Sequence, residues 1–391
     1  MSIKTLSKKM LAIVAAGAMT LGLAMPTSVF AAGGDTATKV TEAYISKTYN
    51  REVGKAEKFS FTAKQNTEGT GLVKTVVPVN IPDISFTKDQ TGTTKQRAKV
   101  NFPTYKEAGE YEYTVTESQT ADPAVPNGGH EKLIMSKAEY TMDVYVTENE
   151  ETRALEISNI IVKRTKDDAG KNANDVKVTD IGDDDNNGFN FTNTYVQEAG
   201  TGTDPTDPDP DYTTYGSLDV SKIIKTDAAD AADTADTNKE FEFTADFTFP
   251  NGTDATTLGA KATIGGSTTS ITGTSHTFKL KHGQNVKFTG LPVGTKISVT
   301  ESATPNYKGS AEVVINNGTK EAVAETKYNE ALTVSDKTLG QNKNTVDVTN
   351  TYNYVPATGI IMNTLPYVLM IALCGAALMA FVAFKRRRLQ K

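Results

Sequence analysis

The chain is poor in the residues that most site chemistry needs. Cysteine occurs once, at Cys374, inside an apolar run near the C-terminus, so the rest of the chain has no disulfide available to it. The three histidines, His130, His276 and His282, show no metal-ligand spacing, so no metal centre is expected. Asp183, Asp185, Asn187 and Gly188 open like a calcium loop, but the last ligand position holds Thr194 instead of Glu, and the stretch reads as a solvated turn. No Ser/His/Asp arrangement and no phosphate loop in context occurs, so a turnover enzyme and a bound cofactor are not expected. Basic residues are outnumbered, 41 Lys+Arg against 47 Asp+Glu, which argues against a nucleic-acid partner.

Long apolar runs are confined to the two ends. Lys4, Lys8 and Lys9 precede an apolar stretch over 10–25, followed by Val29, Phe30 and Ala31. This pattern makes 1–31 a secretory signal peptide, cleaved after Ala31. At the other end, 365–384 carries no charge over about 20 residues, the length that spans a bilayer core. Lys385 and Arg386 to Arg388 follow at once and place that end in the cytoplasm. Just before this segment stand Val355, Pro356, Ala357, Thr358 and Gly359. The tetrad Pro-x-Thr-Gly ahead of a hydrophobic tail and a basic tail resembles the sorting signal of Gram-positive sortase substrates, with Val355 where Leu is usual; the whole signal covers 355–391. The resemblance implies cleavage between Thr358 and Gly359 and anchoring to peptidoglycan. Removing both ends lowers Lys+Arg from 41 to 33 with all 47 acids retained, a net charge of −14. Such a surface suits a soluble, self-repelling extracellular protein.

Between the ends the chain is rich in Thr and Val and alternates polar with apolar residues, as in Tyr111/Tyr113/Val115 and Ile297/Val299. Period-2 alternation between Gly, Asn and Asp turn clusters predicts all-β sandwiches. Three motifs recur in one order: KFSFTA (58–63) as EFEFTA (240–245), VTES (115–118) at 299–302, and TNTY (192–195) at 349–352. The chain therefore holds two copies of one domain, at 33–197 and 217–353. The Pro- and Asp-rich tract between them, 198–216, reads as an extended, solvated spacer.

Side chains two apart in a strand share a face. That rule puts Lys47 with Ala43 and Ile45, Glu117 with Tyr111, Tyr113 and Val115, and Asn193 with Phe189 and Phe191. In the second copy it puts Lys222 with Leu218 and Val220, Glu301 with Ile297 and Val299, and Asn350 with Val346 and Val348. Six polar residues thus fall on apolar faces. Burial pushes a lysine and a glutamate toward their neutral forms. A neutral lysine is a nucleophile, an asparagine amide is an electrophile, and a protonated glutamate can shuttle protons as ammonia leaves. The product is an intramolecular Lys–Asn isopeptide bond, made once per domain.

Both copies resemble the isopeptide-forming domains of Gram-positive major (backbone) pilins, especially the streptococcal two-domain kind, over nearly all of 32–359. The likeness rests on AYISK (43–47) and LDVSK (218–222), YEYTVTE (111–117) and KISVTE (296–301), and FTNTY and VTNTY; 290–307 is similar to a collagen-adhesin B-type repeat with a pilin E-box. It implies immunoglobulin-like β-sandwiches with bonds Lys47–Asn193 and Lys222–Asn350, assisted by Glu117 and Glu301. It also implies a wall-anchored pilus shaft in which sortase joins Thr358 to a lysine of the neighbouring subunit. Lys171, in a polar loop, and Lys177 are the candidates for that lysine. Sortase, neighbouring subunits, peptidoglycan and a host surface ligand are the expected partners. The alternative is a monomeric wall-anchored adhesin built from the same domains.

Overall fold

In a computed structural model, residues 39–126, 128–227, 235–353 and 368–381 are described. The expected signal peptide, the VPATG motif and the basic tail lie outside them. Residues 368–381 are helical, and among the described residues no helix is long and apolar enough to cross a membrane.

The two copies each build a β-sandwich around a core of their own, one running from Ala43 to Tyr195 and one from Ala199 to Val348. In the first domain, one sheet has the order Gly92–Lys99, Tyr44–Arg51, Asn190–Gln197, Glu131–Ile134. The facing sheet has the order Asn172–Lys177, Leu155–Lys166, Glu139–Glu148, Gly109–Glu117, Phe61–Asn66. Glu57–Phe59 and Ile84–Phe86 form a small ribbon beside it.

The second domain repeats the plan with a wider lysine sheet and a narrower glutamate sheet. Its seven-stranded sheet is centred on Leu218–Thr226 beside Thr345–Tyr352, and its four-stranded sheet on Phe241–Thr248 beside Lys296–Glu301. The strand that opens each domain (the lysine strand) lies parallel to the strand that closes it (the asparagine strand). Tyr49 pairs with Asn193 in the first domain, and Ile224 pairs with Asn350 in the second. Lys47 and Lys222 each stand two residues before that pairing, on the same inward face. The repeated FTA motif is the neighbour of the glutamate strand in both copies, Phe61 opposite Glu117 and Phe243 opposite Glu301.

The acidic tract departs from the solvated spacer that its composition suggests. Glu198, Ala199, Thr201 and Ser217 are buried, and Pro210–Tyr215 is a short helix. Pro210 sits in its first turn, where the missing N–H is no loss. The chain docks on the second domain through backbone bonds from Ala199 N to Leu291 O, Gly200 N to Gly340 O and Gly202 N to Gln341 O. Gly200 has φ +82°, and a Cβ there would collide with the Gly216 carbonyl, so this close approach needs glycine. Composition failed here because the tract buries its backbone against the second domain while its aspartates stay outside.

The carboxylate of Glu198 is the hub of this joint. Oε1 accepts hydrogen bonds from Tyr212 Oη at 2.6 Å, Ser217 Oγ at 2.8 Å and the Gly290 N–H, and Oε2 lies 2.6 Å from His130 Nδ1. A buried carboxylate is stable only when its lone pairs are used in this way.

Candidate functional site

The lysine and asparagine of each domain come from adjacent strands of one sheet, and the glutamate reaches them from the sheet opposite. In the first domain Lys47, Glu117 and Asn193 are all buried. Lys47 Nζ is 2.9 Å from each Glu117 oxygen, and Asn193 Nδ2 donates to Glu117 Oε1 at 2.7 Å. In the second domain Lys222 Nζ is 2.8 Å from Glu301 Oε1, and Asn350 Nδ2 donates to the same oxygen at 2.8 Å. One carboxyl therefore bridges an amine and an amide nitrogen in each core.

The surroundings are aromatic. Lys47 Nζ lies 4.6 Å from the centre of the Phe59 ring, and Lys222 Nζ 4.2 Å from that of Phe241. These are the first phenylalanines of the repeated KFSFTA and EFEFTA motifs. Their role as a floor beneath the amines was not read from the sequence, although the repeat itself was the signal.

Burial is the main influence on all four titratable groups. It lowers Lys47 and Lys222 to about 8, against the opposing pull of their glutamates. It raises Glu117 and Glu301 above the usual carboxylate range, again against the lysines. Both partners move toward the proton distribution in which amine and carboxyl are neutral. The arrangement holds a nucleophile, an amide electrophile and a proton relay in contact, which is what amide exchange requires.

The two amides differ in what faces their carbonyl oxygens. Asn193 Oδ1 accepts the Ser136 backbone N–H at 2.6 Å. Asn350 Oδ1 is buried and has no hydrogen-bond partner among the described residues. Ser136 is held in turn by Asp168, whose Oδ1 accepts from Ser136 Oγ at 2.6 Å and from Thr192 N at 2.9 Å. Neither Ser136 nor Asp168 stands out in the sequence, because a backbone N–H has no residue signature.

Lys171 and Lys177 are exposed and make no contact with either trio; Lys171 stands in the turn that joins Leu155–Lys166 to Asn172–Lys177, and Lys177 ends the second of these strands. Lys171 closes the turn, its N–H donating to Asp167 Oδ1 at 2.8 Å, and its side chain is in solvent. The calcium-like stretch is cross-braced: Arg97 donates to Asp183 Oδ1 and Asp185 Oδ1, each at 2.9 Å. Of the histidines, His282 Nδ1 accepts from Ile224 N, and His276 stacks on Phe278.

A family model described as a domain of unknown function (DUF7601) matches residues 216–352, the stretch that forms the second sandwich. No curated protein matches the chain. Among solved structures, the chain is similar to the major pilin from Streptococcus pyogenes, at 21% identity over 81% of this chain and 100% of that one, with a TM-score of 0.33. The S. pyogenes major pilin T3.2 matches at 18% identity over 80% of this chain and 99% of that one, with a TM-score of 0.31. The pilus-presented adhesin Cpa matches at 10% identity over 81% of this chain and 100% of that one, with a TM-score of 0.26.

Proposed function

We propose that the chain is a self-cross-linking shaft subunit of a cell-surface pilus, polymerised by sortase through Thr358 to an exposed lysine of the next subunit, Lys171 or Lys177. The observation that carries this reading is the carboxyl bridging a buried lysine amine and a buried asparagine amide, made twice with the same strand offset. In each trio the neutral lysine attacks Cγ of the asparagine. Its Nζ loses a proton to the glutamate, the glutamate gives one to Nδ2, and ammonia leaves. The new amide joins Lys47 to Asn193 and Lys222 to Asn350.

The strand geometry supports a mechanical role. The opening and closing strands of each domain are adjacent and parallel, so pulling the domain by its two ends shears one along the other. A covalent link between them carries that shear directly and leaves the rest of the sandwich unloaded. Each link also closes a loop of more than 100 residues, which on the chain-entropy model contributes about 4–5 kcal/mol.

Intact-mass measurement of residues 32–358 tests the cross-links. The expected deficit is about 34 Da, one ammonia per bond; an unshifted mass would falsify the reading. Immunoblots of wall extracts test polymerisation: a high-mass ladder that Lys171→Arg or Lys177→Arg abolishes is expected, whereas a single band makes the chain a monomeric adhesin.

A further inference from the structure

We infer that the Ser136 backbone N–H is an oxyanion donor for the first domain's cross-linking reaction, and that the second domain works without one. The inference rests on the cross-linking reading and adds a catalytic group to it. As Lys47 Nζ bonds to Cγ of Asn193, the carbonyl electron pair moves onto Oδ1, which becomes an alkoxide. Ser136 N–H already points at that oxygen from 2.6 Å in a buried setting. A fixed donor of this kind stabilises the developing charge and needs no reorganisation at the moment of reaction. When the intermediate collapses, the pair returns to re-form C=O and the C–Nδ2 bond breaks. Nδ2 leaves as ammonia with the proton delivered by Glu117, and Glu117 recovers the proton released by Nζ.

Among the described residues only the first domain has the donor, and the backbone explains why. The ladder between the asparagine strand and Glu131–Ile134 runs from Gln197↔Glu131 to Thr194↔Ile134 and ends one residue before Asn193. The chain beyond it is free to aim Ser136 N–H at the Asn193 side chain. Asp168 pins it there through Ser136 Oγ, while Ala138 N donates to the same hydroxyl at 3.1 Å. In the second domain the corresponding ladder passes straight through the acceptor, Gly309↔Asn350 and Ser310↔Thr349. The Gly309 N–H is taken by Thr326 Oγ1 at 3.0 Å. Asn350 Oδ1 therefore depends on Glu301 for polarisation. The Ser136 contact also fixes which way the Asn193 amide faces, since only its oxygen can accept from an N–H.

The test compares the two bonds inside the same full-length molecules. Protein made by cell-free synthesis is quenched at intervals, digested, and the two cross-linked peptides are quantified by mass spectrometry. In the unaltered chain the Lys47–Asn193 bond is expected to form faster than Lys222–Asn350; equal rates, or the reverse order, overturn the inference. Replacing Ser136 by its α-hydroxy acid removes the N–H and keeps the side chain. That change is expected to slow the first bond on the order of 100-fold, with the second bond unchanged. An unchanged first bond overturns the inference while leaving the cross-linking reading intact. Ser136→Ala keeps the N–H but frees it from Asp168, and is expected to slow the first bond less than the hydroxy acid does; a loss matching that of the hydroxy acid would assign the effect to the side chain and overturn the inference. Absence of both bonds from the unaltered chain overturns the cross-linking reading itself.

Discussion

The two domains place the same three residue types at the same strand offset, yet they support the acceptor amide differently. In the first, the ladder stops short of Asn193 and a backbone N–H turns onto the amide oxygen. In the second, the ladder runs through Asn350 and leaves that oxygen buried over Gly309, 3.3 Å from where a Cβ would stand. The duplicated domain thus keeps the lysine, glutamate and asparagine side chains in contact and diverges in the backbone that faces the asparagine oxygen. On the proposed cross-linking reading, the side-chain trio defines the reaction and the backbone tunes its rate.

The most severe way to break the comparison is to remove one relay at a time. Glu117→Ala and Glu301→Ala should each restore one ammonia and leave the other domain's bond in place. The affected domain loses about 4–5 kcal/mol of loop-closure stabilisation and keeps an uncompensated buried lysine. Mass spectrometry and thermal melting read both effects; loss of both bonds from either single variant would show that the domains do not react independently.

A smaller effect is expected at the joint. Glu198→Ala strips the shared acceptor from Tyr212, Ser217, Gly290 and His130. The loss should be about 3 kcal/mol, the scale for leaving buried hydrogen-bond donors unmet. Small-angle scattering should then report a wider spread of interdomain distances with both cross-links intact. An unchanged profile would place the rigidity of the joint elsewhere.

Glu57 belongs to the first domain alone. It is buried, neither of its oxygens has a hydrogen-bond partner among the described residues, and burial raises its pKa to about 7. A carboxyl raised in the folded state holds its proton more tightly there than in the unfolded chain. Its contribution is full below the ordinary value of 4.5 and is lost as pH rises from there through about 7. Glu57→Gln should remove that loss and stabilise the first domain at pH 8 on the order of 2 kcal/mol, with little change at pH 4. Chemical denaturation at the two pH values checks it; equal effects would contradict the assignment.

The finest comparison is the pH dependence of the two reactions. Each needs a neutral amine and a protonated carboxyl together, so each rate should rise as the lysine sheds its proton and fall once the carboxyl loses its own. With both lysines lowered to about 8, the two bell-shaped profiles should coincide within about one unit. Profiles displaced by more than that would mean the trios are electrostatically unlike.

Much of the candidate site was legible because β-structure makes burial periodic. Alternation placed Lys47, Glu117, Asn193 and their counterparts on inward faces without knowledge of which strands pair. The repeated KFSFTA and TNTY motifs announced two domains for the same reason, since each marks a strand of both copies. The tract 198–216 misled, because Pro and Asp report solvent preference and say nothing of backbone docking. Glu198 gave no warning either: its four partners come from 130, 212, 217 and 290, separations that no local pattern spans.

What the sequence alone determined is therefore the buried Lys, Glu and Asn and their duplication, because side-chain identity and the two-residue period are both written in the chain. The tertiary structure decided which carboxyl bridges which pair, how the two domains are joined, and that among the described residues the amide oxygen of Asn193 meets a backbone donor while that of Asn350 meets none. Those outcomes depend on where ladders end and how the sheets face each other, and a backbone N–H is the same group at every non-proline position until the fold aims it.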